Sequence, residues 1–241
     1  MPQRVNEYGQ PIGEALPDWR GAARPSRTPM AGRFCRIEPL DSDRHMEELF
    51  DAYAADITGE LWTYMSVGPF ASLDDFQAWM TTACQSADPL FHALIDKVSG
   101  KAAGMAAYTR IVPEAGVIEV GSITYSPMMQ RTPLATEAMF LMMQRAFNDL
   151  GYRRYEWKCD ALNEPSRRAA ERLGFSYDGL FPQALVYKGR NRDTAWYSLL
   201  DRDWPAVEQA FISWFDPANF DEAGQQKQSL STFISRERIQ R

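Results

Sequence analysis

Histidine and cysteine are scarce: only His45, His92, Cys35, Cys84 and Cys159 occur in 241 residues. Two imidazoles leave almost no material for a His-based metal site, and no metal is expected. The cysteines lie far apart with no CxxC pair, which excludes an even disulfide framework. They read as small buried hydrophobes kept reduced. Long apolar runs are missing too, none approaching the roughly 18 residues that a membrane-spanning helix needs. The first residues, MPQRVNEYGQPIGEALP, lack the apolar segment that secretion requires, so a cytoplasmic chain with no membrane partner is expected. Excess positive charge is also absent. The net charge of −6 disfavours nucleic acid, whose binding depends on Lys and Arg meeting phosphates. It suits a cationic amine substrate, and equally well it suits simple solubility.

What remains is ordinary globular material, 45% apolar and 24% charged, of a length that fits one α/β domain with terminal extensions. Residues 1–32 carry Pro2, Pro11, Pro17, Pro25 and Pro29 with Gly9, Gly13, Gly21 and Gly32, which cannot sustain a helix or central strand. An irregular arm anchored by Tyr8 and Trp19 is expected there. Residues 33–216 form the domain, and the polar residues 217–241 a poorly packed tail or an interaction helix. Within the domain, a strand over Arg33–Glu38 leads to a helix capped by Asp41, and a second helix follows Ser72. The runs FHALID, KAAGMAAYTRIV and GVIEVGSITY, parted by turn chemistry, predict an antiparallel meander. Thr132, Pro133 and the apolar repeat to Leu150 predict a long helix ending at Gly151. RRYEWKCD reads as a strand with Tyr155, Trp157 and Cys159 on one face. A short helix from Asn163 to Gly174 follows, and TAWYSLL reads as the last strand, with 180–193 as a connection between the two final strands.

The informative unit is strand, turn, helix, strand, helix across residues 117–175, because a turn feeding a helix N-terminus offers backbone N–H groups and a positive dipole end to an anion. Any helix has such an end, so the turn alone does not decide for a phosphate. The residues Gln130-Arg131-Thr132-Pro133-Leu134-Ala135, then Thr136-Glu137-Ala138, then Asn163-Glu164-Pro165-Ser166 and Leu173-Gly174-Phe175 carry a further signal. In order and spacing they resemble the GNAT superfamily of acetyltransferases, in particular the branch that modifies ribosomal-protein N-termini. The resemblance covers residues 33–205.

That resemblance implies an α/β (α+β) GNAT fold: a mixed, mostly antiparallel sheet of six or seven strands with helices on both faces. It implies acetyl-CoA as co-substrate, with the pyrophosphate against Gln130, Arg131, Thr132, Leu134, Ala135 and Thr136. The pantetheine arm would follow the strand edge at Ser122, Ile123, Thr124 and Tyr125, with Asn163 bonding the arm or simply capping its helix. Arg167 or Arg168 would reach the 3′-phosphate, or form a solvated helix face. Two departures stand out. Pro133 replaces the first glycine of the family loop and removes a donor; Ala170 stands where many relatives have a tyrosine acid, leaving Ser166, a water or bulk solvent to protonate the thiolate. Glu119 is the candidate base, or else a strand carboxylate paired with Lys or Arg. Trp62 and Tyr108, with Tyr64, Trp79 and Phe91, line an acceptor pocket or belong to the core, and Tyr187 is a further acceptor-side candidate. The function implied is direct acetyl transfer to a primary amine of a small molecule or protein N-terminus. A non-catalytic acyl-CoA-binding module is the alternative, and a partner-binding protein or homodimer using the terminal segments also stays open.

Overall fold

The computed structural model describes residues 4–239. Eight strands form one sheet in the order β1-β2-β3-β4-β5-β6-β8-β7. They are β1 (Met30–Ala31), β2 (Cys35–Pro39), β3 (Leu90–Asp96), β4 (Ala102–Val112), β5 (Val117–Tyr125), β6 (Arg154–Asp160), β7 (Ser176–Tyr187) and β8 (Arg190–Leu200). Every neighbouring pair is antiparallel except β5 and β6. The expected six or seven strands become eight because a two-residue pairing precedes the first predicted strand and because 180–193 is not a connection. It belongs to the β7–β8 hairpin, whose turn shrinks to Lys188 and Gly189. An edge strand that buries almost nothing shows no alternation, so its sequence carries no strand period.

Helices α1 (Ser42–Ala54) and α2 (Leu73–Gln85) cover one face, with Leu49, Tyr53, Phe76 and Met80 packed on Ala93, Ile95, Met105 and Ala107. The Asp41 carboxylate and Ser72 hydroxyl cap their first turns. On the other face lie α3 (Pro133–Gln144), α4 (Glu164–Arg172), α5 (Trp204–Trp214) and α6 (Leu230–Ile239), in one core with Ile118, Val120, Tyr155 and Trp157. The predicted long helix is α3 continued by a π turn to Asp149, and Gly151 ends it at φ +75°.

The terminal segments differ in part from expectation. Trp19 anchors the arm, its indole donating to the Glu114 carbonyl at 2.8 Å, whereas the Tyr8 ring is exposed and meets no partner among the described residues. The chain after 217 is no loose tail, because Leu230 and Ile234 are buried against α5 and Arg238 donates to the Gly174 carbonyl. Glu137 in α3 accepts the backbone N–H groups of Arg33, Phe34 and Cys35 at 2.7, 2.6 and 2.7 Å, fixing the start of the sheet to this helix.

Candidate active site

β5 and β6 pair in register only from Val117 with Arg154 to Val120 with Trp157. Beyond that β5 stays with β4 to Tyr125 and β6 stays with β8 to Asp160, so the two parallel strands part into a cleft. A bulge helps to part them. Between Met105 and Ala107 on β4, β5 spends one residue more, and Ser122 takes the left-handed conformation, φ +51°. Ser122, Ile123, Thr124 and Tyr125 therefore lie on a strand edge that β6 has left. The Tyr125 and Ser126 hydroxyls are buried there without a partner among the described residues.

The turn that follows β5 is held by Met129 and Gln130 amides donating to the Ser126 carbonyl. Arg131 is left-handed, φ +62°, and the Thr132 hydroxyl caps the Ala135 amide at 3.3 Å while donating to the Met129 carbonyl at 2.6 Å. Thr136 N–H turns back to the Thr132 carbonyl. What stays unpaired among the described residues is the amides of Arg131, Thr132 and Leu134 and the exposed Arg131 guanidinium, which together make a concavity of donors suited to an anion. The Gln130 side chain donates to the Tyr125 carbonyl at 3.2 Å.

On one face of the cleft stands an ionic cluster. Strand alternation sends Ile118 and Val120 into the core and Glu119 to the opposite face, beside Glu156 on β6. Glu119 is 7% exposed; its carboxylate accepts Lys158 Nζ at 2.8 Å and lies 3.6 Å from Arg110. Lys158 also donates to Glu156 at 2.6 Å, and its ammonium sits 3.8 Å from the centre of the Trp196 ring. Burial raises Glu119 above the usual carboxylate range against the pull of Lys158. For Glu156 burial is overcome by Arg154 and Lys158, and it lies below that range. The alternative of a paired carboxylate is thus present in the structure, and Lys158, which sequence reasoning missed, is the partner.

From the other face comes α4. Asn163 caps it through the Ser166 amide at 3.2 Å, and the Ser166 hydroxyl accepts the Trp157 indole N–H at 3.0 Å. Ser166 and Glu119 therefore flank the cleft from opposite sides of the sheet. Ala170 is fully buried. Arg168 is exposed and paired with Glu164, while Arg167 donates to the Tyr197 hydroxyl. The arginine that reaches the phosphate-type turn is Arg172, four residues on. It donates to the Thr136 hydroxyl at 3.3 Å with no carboxylate partner among the described residues, and burial lowers its pKa. The i+4 step from Arg168 along one helix face was the available signal.

The acceptor-side expectations need one correction. Tyr108 is fully buried, its hydroxyl donating to the Met142 carbonyl at 2.7 Å, because β4 turns this side chain under α3 and away from the cleft; it is core. Trp62 is buried edge-on against Tyr53 and Phe70. The Tyr187 hydroxyl donates to Asp160 at 2.8 Å, at the end of β6.

A strand edge left open at Ser122–Tyr125 beside a donor-lined helix start is the arrangement that the sequence resemblance implied. A family model described as an acetyltransferase (GNAT) domain matches residues 35–176. The chain belongs to the GNAT acetyltransferases. A GCN5-related N-acetyltransferase from Brucella melitensis shares 50% identity and a TM-score of 0.90, over 91% of this chain and 100% of that one. A probable acetyltransferase of the GNAT family from Chromobacterium violaceum shares 39% identity and a TM-score of 0.76, over 82% and 98%. More distant in sequence, at 20% identity and a TM-score of 0.61 over 70% and 93%, is the microcin C7 self-immunity acetyltransferase, solved with acetyl-CoA and AMP. A search of curated proteins found no match. Among the described residues of this GNAT chain no helix is long and apolar enough to cross a membrane.

Proposed function

We propose that this GNAT protein transfers an acetyl group from acetyl-CoA directly to a primary amine, of a small molecule or of a protein N-terminus. The observation that carries this reading is the cleft where β5 leaves β6 at Val120 and Trp157, with unpaired amides of Arg131, Thr132 and Leu134 beside it. Acetyl-CoA supplies the thioester. Its pyrophosphate suits the Arg131–Leu134 donors and the Arg131 and Arg172 guanidiniums, and its extended arm suits the open edge of Ser122–Tyr125, as an added strand. Pro133 contributes no N–H but fixes the first helical turn.

The chemistry asked of the chain is modest. A neutral amine attacks the thioester carbonyl, its proton must leave, and the departing thiolate must be protonated. Glu119 serves as base, and Lys158 keeps it oriented and ionised. Ser166, held by the Trp157 indole, serves as donor toward the thiolate in the place where Ala170 offers nothing. Thermal shift with acetyl-CoA followed by free-thiol release against an amine panel tests this reading; stabilisation without any thiol release would defeat it. That outcome belongs to the second reading, a non-catalytic acyl-CoA-binding module, which the close pairing of Glu119 with Lys158 favours.

A further inference from the structure

Glu119 and Glu156 stand opposite each other on β5 and β6. Two carboxylates on adjacent strands repel unless a cation lies between them. That cation, Lys158, ends a flexible four-carbon stem, and nothing in the stem itself fixes where its charge rests. The next strand supplies what the stem lacks. Lys158 pairs with Trp196 of β8 in register, so both side chains leave the same face of the sheet. The ammonium reaches Glu119 at 2.8 Å and Glu156 at 2.6 Å, and the centre of the Trp196 ring lies 3.8 Å from it.

Arg110 repeats the pattern from β4. Its guanidinium is 3.6 Å from Glu119, and its central carbon is 5.7 Å from the centre of the same indole. The two cations that meet Glu119 are thus the two that meet Trp196. Other charges nearby have partners of their own: Arg154 pairs with Glu156 and Asp178, Asp160 accepts the Tyr187 hydroxyl, and Arg192 lies over the Tyr187 ring. The indole is itself held in place. Gly179 stands opposite Trp196 on β7 without a side chain, and Phe181, two residues on, stacks on the indole at 4.3 Å with the ring planes 20° apart.

We infer that Trp196 is a positioning residue of the transfer site, its ring holding the Lys158 and Arg110 cations against Glu119 and so keeping that carboxylate ionised. The bearing on turnover rests on the acetyltransferase reading with Glu119 as base; the placement of the charges does not.

The Glu119 carboxyl carbon is titrated by NMR, with no acceptor present, in the parent, Trp196→Leu, Trp196→Phe and Lys158→Met. Losing the ring frees the ammonium, so Trp196→Leu should move the titration to higher pH, by most of the displacement that Lys158→Met produces. Trp196→Phe keeps an aromatic face and should stay near the parent. The Lys158 ε-methylene protons should show an upfield ring-current position in the parent and in Trp196→Phe, and lose it in Trp196→Leu. The rising limb of the kcat/KM–pH profile, taken with the amine that turns over fastest, should follow the carbon titration. A Glu119 titration unmoved by Trp196→Leu, or moved equally by the Leu and Phe variants, overturns the positioning role and spares the acetyltransferase reading. A carbon titration that moves while the rate profile stays put upholds the placement of the charges and overturns Glu119 as base. Should Trp196→Leu not fold, Phe181→Leu, which removes the stacked ring and leaves the indole, should move the titration in the same direction by less, and no movement there overturns the role.

Discussion

Glu119 draws its character from where alternation leaves it: off the core face, yet roofed closely enough to be 7% exposed. Burial raises its pKa while Lys158 opposes the rise. Glu119→Gln should lower kcat about 100-fold with acetyl-CoA affinity kept, since that is the usual scale of a lost general base. Lys158→Met removes a cation that favours the ionised carboxylate, so the rising limb of the kcat/KM–pH profile should move to higher pH. A limb that stays in place would show that another group titrates. His92 gives a stability counterpart. Its ring is buried edge-on against Tyr108, and burial, reinforced by Arg145, lowers its pKa to about 4 from 6.5. Between these values the unfolded chain binds a proton that the folded one refuses. Stability is therefore complete above pH 6.5 and falls as pH drops toward 4, by a contribution of order 3 kcal/mol. In urea titrations His92→Leu should flatten that slope.

At the scale of elements, α3 joins two jobs. Its start carries the donors of the phosphate-type turn, and one turn later Glu137 holds three backbone amides at the beginning of the sheet. Ala135→Asp places a carboxylate among those donors and should abolish acetyl-CoA binding by calorimetry, and because Ala135 is buried the urea midpoint should fall as well. Glu137→Gln puts an amide group against N–H donors and should cost about 3 kcal/mol of stability. How far sequence could reach differs between these two roles. Thr132, Pro133 and the apolar repeat announce α3 locally, and the resemblance supplied the strand edge at Ser122–Tyr125. The grip of Glu137 is not legible, because its acceptor duty lies some hundred residues away in the chain and any helix surface can hold a glutamate. Tyr108 misled for a related reason: an aromatic in a strand looks the same whether it faces a cleft or the underside of a helix. The part of β7 from residue 180 on escaped notice because periodicity records burial, and Leu180, Leu185 and Val186 there are exposed.

For the molecule as a whole, acetyl-CoA at 100 times its dissociation constant should add about 2.7 kcal/mol, which in a chain of this size moves the melting temperature by roughly 5–10 °C. A melting curve indifferent to acetyl-CoA would remove the co-substrate and with it the enzyme. The architecture also says how such a ligand would act mechanically. β1–β5 form one antiparallel leaf and β6, β8 and β7 another, and backbone pairing between the leaves runs only along 117–120 and 154–157. The sheet is in effect a book bound along about half of its spine, and whatever lies between the open pages completes the binding.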